Sequence, residues 1–123
     1  MIRHHILFTG MGGALGAIVR GYLGVLINTN FPWAILIVNV VGSFLVGVFV
    51  AIFAGYESSF SQHIEIISLG FCGGFTTFSS FSYQSVDLFR SGKRFHALIN
   101  IFLSLILSIG AAWLGMTIAE YFT

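Results

Sequence analysis

Charged side chains are scarce in this chain of 123 residues, at 7%, whereas hydrophobic residues make up 57%. An ordinary soluble domain carries about 25% charged residues, so this chain cannot cover a water-facing surface. The formal net charge of +1 leaves no basic patch for nucleic acid. The scarcity of charge therefore argues against a soluble protein and a nucleic-acid partner, and it predicts a surface that contacts membrane lipid.

Cysteine is scarcer still, with a single residue. Cys72 cannot form an internal disulfide and stands in an apolar run, so we interpret it as a buried small side chain without a redox role. The four histidines lie near the ends of the apolar runs and lack the spacing of metal ligands. Since no nucleophile and base are paired either, the sequence does not predict an enzyme.

Long apolar runs are what the chain has in abundance. A membrane-spanning helix needs about 20 mostly apolar residues, and four runs of that kind are separated by polar or turn-forming segments. We therefore predict a single domain, residues 1–123, with the fold of an all-α membrane protein. Its four transmembrane helices are predicted at about residues 6–27, 33–54, 63–88 and 95–118.

The third run contains an unusual segment, residues 70–82, which is rich in Gly, Thr and Ser. Such residues form helices poorly, and the hydroxyls offer the backbone competing hydrogen bonds. We therefore predict that the third helix is broken in the middle of the membrane. Backbone that is not helical at this depth is tolerated where it is buried or lines a polar cavity, so the break predicts a site. The alternative is a kinked helix whose hydroxyls bond to its own carbonyls.

Polar side chains also lie within the second and fourth runs. Asn39 is in the middle of the second, and Asn100, Ser104 and Ser108 follow one another at steps of four in the fourth, which places them in one stripe. Their amide and hydroxyl groups all donate hydrogen bonds. Polar groups surrounded by lipid need partners, so this set indicates either contacts between helices or a polar pathway.

Two aromatic residues of the third run, Phe78 and Phe81, share a face with its hydroxyls. Rows of aromatic residues usually serve packing, but the edge of a phenyl ring is electropositive and can contact an anion. Together with the donors of the second and fourth runs, they suit a small anion that has lost its water. Arg20, the only basic residue well inside a run, either extends to the membrane interface or draws anions into a vestibule.

Three segments resemble the signature blocks of the CrcB/Fluc family of fluoride channels. They are GGALGAIVR at residues 12–20, NVVGSFLVG at 39–47 and GFCGGFTTFSSF at 70–81. The resemblance extends to chain length and helix number. It implies an antiparallel homodimer that inserts in both orientations in the bacterial inner membrane as a multi-pass protein. It also implies two fluoride pores and a sodium ion at the subunit interface.

The resemblance further implies roles for the residues of the pores. Phe78 and Phe81 would line them with their ring edges, and Asn39 would donate a hydrogen bond to fluoride. Ser104 and Ser108 would continue the polar track.

The resemblance also implies roles for residues at the sodium ion and in the vestibule. The backbone carbonyls of Gly73 and Thr76, with their symmetry mates, would hold the sodium ion, and Arg20 would make the vestibule electropositive. Asn100 stands where family members often carry Tyr, which predicts a different entrance to the track.

The expected function is thus a fluoride-selective channel that exports fluoride passively and lowers its cytoplasmic concentration. One alternative is a small multidrug exporter, but such a carrier needs a carboxylate deep in its first helix, where this chain has none. The other alternative is a structural subunit of a larger membrane complex that transports nothing. That role would leave both the break and the polar stripe without a use.

Overall fold

The computed structural model describes residues 2–123, which form α-helices without any strand in this range. The helices are α1 at Ile2–Leu26, α2 at Trp33–Phe53, α3 at Ser59–Phe75, α4 at Phe78–Arg90 and α5 at Arg94–Phe122. Four stretches are long and apolar enough to cross a membrane, namely α1, α2, α3 together with α4, and α5. The prediction of an all-helical protein with four such stretches is confirmed.

Several helices extend beyond the apolar runs from which they were predicted. α1 begins at Ile2 and α5 continues to Phe122, because no proline or turn interrupts the polar residues at these ends. α3 begins at Ser59, since the Ser58 hydroxyl accepts a hydrogen bond from the Ser61 N–H and thereby caps the helix. Capping chemistry, rather than hydropathy, sets this boundary.

The helices form two parallel pairs. α1 and α3 run in the same direction, since Thr9 lies against Gly70 and Gly16 lies against Phe75. α2 and α5 also run in the same direction. Phe31, just before α2, lies 6.4 Å from His96 near the start of α5, and Gly47 farther along α2 lies against Ala112 of α5.

The start of α1 and the end of α5 lie at one end of the bundle as a result. The connection at residues 27–32 and the turn at residues 91–93 lie at the other end. The turn between α4 and α5 contains Gly92 at φ 80°, a left-handed conformation that glycine adopts without strain.

Close packing within each pair depends on glycines. A Cβ atom at any of these glycines would meet backbone atoms of the neighbouring helix below contact distance: Gly12, Gly16 and Gly74 between α1 and α3, and Gly47 and Gly115 between α2 and α5. Membrane helices associate through small residues because lipid supplies no hydrophobic drive between them. The two pairs are therefore the close-packed units of the bundle.

Gly47→Ala should lower the free energy of unfolding by about 1–3 kcal/mol, the usual cost of overpacking. The added Cβ would meet Ala112 O and Met116 N, which are backbone atoms of α5, so the two helices would have to separate. Gly110→Ala is the matched control, because a Cβ there has nothing within 4 Å. Thermal unfolding in detergent measures both variants. An equal loss of stability in the two would contradict the packing role of Gly47.

Candidate functional site

Two residues with extended backbone, Thr76 and Thr77, separate α3 from α4. The Thr76 N–H and hydroxyl both donate to Cys72 O, at 2.9 and 2.8 Å, and so close the end of α3. The Thr77 hydroxyl accepts a hydrogen bond from the Ser80 N–H at 3.2 Å and caps the start of α4. Hydroxyl side chains thus satisfy backbone groups that the interruption would otherwise leave unbonded.

Asn39 of α2 ties this interruption to the second helix. Its Nδ2 donates to Thr77 O at 3.1 Å, and its Oδ1 accepts from the Thr77 N–H at 2.7 Å. The amide carries two N–H groups, and the Thr77 carbonyl uses one of them. Asn39 also lines a cavity beside the interruption, so its second N–H is available to a ligand there.

This cavity has a volume of about 220 Å³ and lies between α2, α4 and α5. All five residues predicted for a polar pathway line it: Asn39, Phe78, Phe81, Ser104 and Ser108. The walls also include Ser43, Thr76 and Thr77, which the sequence did not assign to the pathway. Ser43 could have been found, since it lies four residues after Asn39 and therefore on the same helix face. The lining residues include no carboxylate and no basic side chain.

The two phenyl rings of the cavity differ in exposure. Their centroids are 5.4 Å apart and their planes are inclined by 51°. Phe81 is 8% exposed, whereas Phe78 is 73% exposed in the single chain. Inclined rings of this kind present edges as well as faces, and the edges carry the positive part of the ring quadrupole.

The predicted polar stripe of α5 is joined by a long hydrogen bond from the Ser104 hydroxyl to Asn100 Oδ1, at 3.5 Å, but only part of the stripe lines the cavity. Ser104 and Ser108 line the cavity, whereas Asn100, 2% exposed, faces α4 and donates to the Ser85 hydroxyl at 3.0 Å. Ser85 in turn donates to Phe81 O at 2.8 Å. Asn100 is therefore a connection between two helices that holds the segment carrying Phe81. The sequence did not reveal Ser85, although its spacing of four from Phe81 was visible.

The Ser108 hydroxyl is buried and has no hydrogen-bond partner within residues 2–123. A buried polar group without a partner costs about 1–3 kcal/mol. Because the hydroxyl hydrogen can rotate, Ser108 can donate to a group that enters the cavity it lines. The Ser108 hydroxyl is thus one donor in the cavity wall that the described chain leaves unused.

The start of α4 adds a partial positive charge to the same place. A helix N-terminus carries about half an elementary charge from its aligned peptide dipoles. The first residue of α4, Phe78, lines the cavity, and the first turn of α4 contains no acidic residue that would offset this charge. The helix end therefore favours an anion in the cavity.

The end of α3 has the opposite character. In a continuous helix the Thr77 N–H would bond to Gly73 O, but here it donates to Asn39 Oδ1. The Ser80 N–H would bond to Thr76 O, but it donates to the Thr77 hydroxyl instead. The carbonyls of Gly73 and Thr76 thereby lose their usual donors. Carbonyl oxygens freed in this way are ligands for hard cations, so these two fit the sodium ion predicted from the sequence.

Arg20 lies at the end of α3 as well. Its Nε donates to Gly74 O at 3.0 Å, and the contact is partly buried. In a continuous helix the Phe78 N–H would bond to this carbonyl, so Arg20 replaces the lost donor. The sequence could not reveal the contact, because the two residues are 54 positions apart and belong to different helices.

No group of three or more His, Cys, Asp or Glu side chains within the described part of the chain could hold a metal ion. The prediction from the sequence placed no metal at the histidines, and the sodium ligands it named are backbone carbonyls.

Comparisons with known proteins place this chain among relatives that it matches along most of its length. The family described as CrcB-like protein, Camphor Resistance (CrcB), matches residues 7–116. A protein of Campylobacter lari named fluoride-specific ion channel FluC is 43% identical over 92% of this chain and 95% of its own length. A protein of the same name from Renibacterium salmoninarum is 40% identical over 93% of this chain and 98% of its own. One from Vibrio parahaemolyticus is 41% identical over 88% of both chains.

Proposed function

The chain belongs to the CrcB family, and on that premise we propose that it is a fluoride-selective channel that exports fluoride passively and lowers its cytoplasmic concentration. The observation that carries the proposal is the cavity lined by hydrogen-bond donors and ring edges without a carboxylate. Fluoride accepts hydrogen bonds and repels carboxylates, so this lining suits it.

Conduction requires several weak sites in place of one strong site. In the cavity, fluoride would exchange water for the second N–H of Asn39 and for the hydroxyls of Ser104 and Ser108. The Ser104 hydroxyl would have to turn away from Asn100 Oδ1, to which it donates at 3.5 Å. The edges of Phe78 and Phe81 would contact fluoride between these donors. A lysine or arginine in the lining would hold the ion too tightly to let it leave, and the lining has neither.

The assembly proposed for this channel is an antiparallel homodimer in the inner membrane, with the interruption between α3 and α4 at the middle of the membrane and two pores. Two exposures support it: Phe78 is 73% exposed, and Gly73 is also exposed beside a polar interruption. Lipid cannot satisfy such backbone, so a second copy should cover it. The chain has only 5 Lys and Arg residues, so their distribution gives insertion a weak directional bias, which is compatible with both orientations.

A sodium ion would lie between the two copies. Each chain offers the freed carbonyls of Gly73 and Thr76, and a symmetric dimer doubles this set to four oxygens. When bound, the ion supplies positive charge that offsets the negative ends of both α3 helices.

Neither alternative function has a supporting observation. The carboxylates of the chain are Glu57, Glu65, Asp87 and Glu120, and none lines the cavity. A proton-coupled exporter of cationic drugs would need one there.

Liposomes that contain the purified protein and are loaded with fluoride should release it within seconds once a potassium ionophore allows compensating charge to leave. A fluoride electrode follows the release, and protein-free liposomes supply the background. Chloride, larger and more weakly hydrogen-bonded, should be retained by the same liposomes. Release of chloride at the same rate would refute selectivity, and retention of both ions would refute the channel.

A further inference from the structure

A second cavity lies at the end of the bundle where α1 and α3 begin, and the proposed fluoride pathway does not use it. It has a volume of about 300 Å³, and every residue that lines it is polar: His4, His5, Ser59, Gln62 and His63. Three of the chain's four histidines therefore line one cavity. Its lining residues include no carboxylate.

Two parallel helices bring these histidines together. Ser59, Gln62 and His63 are spaced by three and four residues and so share one face of α3. α1 begins beside them and supplies His4 and His5. The ring of His63 also packs on Phe8 of α1, with centroids 4.7 Å apart, and this contact holds the imidazole at the junction of the two helices.

The cavity presents hydrogen-bond donors and partial positive charge. An imidazole donates an N–H in its neutral form and two in its protonated form, and the Ser59 hydroxyl and the Gln62 amide also donate. Gln62 Nε2 makes only one long bond, to Glu57 O at 3.5 Å. The helix dipoles add to this effect, since α1 and α3 both begin here and neither first turn contains an acidic residue. Such a junction suits an anion with several acceptor oxygens.

The cavity lies at the level of lipid headgroups. α3 and α4 together form a stretch of 32 residues. At 1.5 Å per residue this is about 48 Å, longer than the hydrocarbon core of about 30 Å, so the start of α3 reaches the membrane surface. Phe60 and Ile64 are both exposed and lie on the face of α3 next to the cavity. They would contact acyl chains beside a bound headgroup.

We propose that this cavity binds the phosphate of an anionic phospholipid and thereby joins the starts of α1 and α3. Polar pockets between membrane helices hold lipid headgroups in this way. Phosphatidylglycerol should bind better than phosphatidylcholine, because the positive helix ends attract a net negative headgroup and repel the choline cation. The proposal does not depend on the identity of the ion that the channel conducts.

The test measures the unfolding temperature of the full chain in detergent as short-chain phosphatidylglycerol is added. Phosphatidylcholine with the same chains and inorganic phosphate are measured in parallel at constant ionic strength. In the triple variant His4→Ala/His5→Ala/His63→Ala the apparent affinity for phosphatidylglycerol should fall by about tenfold or more, because the loss of even one charge-assisted hydrogen bond has an effect of this size.

The matched control is His96→Ala. It removes the fourth histidine, which is exposed near the start of α5 at the other end of the bundle, and its affinity for the lipid should equal that of the wild type. If the triple variant does not fold, His4→Ala/His5→Ala gives the same comparison, since both of these side chains are exposed.

Each outcome decides for or against the lipid site. Stabilisation by phosphatidylglycerol that exceeds that by phosphatidylcholine, and that the triple variant but not His96→Ala loses, supports it. Equal stabilisation by the two lipids, an equal response of wild type and triple variant, or no response of the wild type overturns it. If inorganic phosphate stabilises the wild type as much as the lipid does, the cavity takes a soluble anion and the assignment to lipid is wrong.

Discussion

Asn39→Asp should reduce fluoride release from liposomes at neutral pH by about a hundredfold or more. Asp has the shape of Asn, but it replaces the donor to Thr77 O with a charged oxygen that faces that carbonyl and the cavity. Two unit charges 4 Å apart repel by about 4 kcal/mol at an effective dielectric constant of 20. Since about 1.4 kcal/mol corresponds to tenfold in rate, the full repulsion would exceed a hundredfold.

Acidification provides a second readout for the same variant. Protonation of the introduced carboxylate would remove the repulsion and restore a donor, so the rate of the variant should rise relative to the wild type as the pH falls. Protein-free liposomes must be measured at each pH, because hydrogen fluoride crosses lipid unaided. Asn28→Asp, in the exposed connection between α1 and α2, is the matched control and should conduct normally. If Asn39→Asp releases fluoride at the wild-type rate, Asn39 only binds the backbone of Thr77 and does not contact the ion.

Phe81→Ile should slow fluoride release by about tenfold or more, an effect of about 1.4 kcal/mol on the barrier. Isoleucine is also apolar but has no electropositive ring edge. Phe81 is 8% exposed, so the variant should be assayed for folding and oligomeric state by gel filtration in detergent.

The control for this variant is Phe102→Ile on α5. Phe102 is 59% exposed and does not line the cavity, so its replacement should leave the rate unchanged. If Phe81→Ile stays folded, keeps its oligomeric state and conducts like the wild type, the ring of Phe81 is packing and not part of the pathway.

The sequence predicted the four membrane-spanning stretches because their signal is local. Run length and hydropathy are properties of neighbouring residues, and they identify a spanning helix without knowledge of its partners. Boundaries were less predictable. The Ser58 cap extends α3 into a polar segment that hydropathy assigned to a loop.

The site was predictable as a set of residue types but not as a set of contacts. Spacing placed Asn100 in one stripe with Ser104 and Ser108. Asn100 accepts from the Ser104 hydroxyl, as the stripe implies, but it donates to Ser85 of α4 and does not line the cavity. Likewise, no local sequence pattern predicts that Arg20 donates a hydrogen bond to Gly74 O. Such contacts depend on how far each helix is rotated and shifted against its neighbours, which a single sequence does not specify. The sodium ion and the dimer stay predictions.

The hydrogen bond between Arg20 and Gly74 O has a consequence for how the protein would respond to membrane potential. Within residues 2–123, every Asp, Glu, Lys and Arg, Arg20 included, lies in a connection or within about two turns of a helix end. A voltage sensor needs charges that move through the field, at about 2.3 kcal/mol per charge and 100 mV. The charge that lies beside the interruption is tied to a neighbouring helix. The membrane potential would therefore move the permeating ion and no charged part of the protein. The fluoride current should then grow with voltage without a threshold voltage for opening.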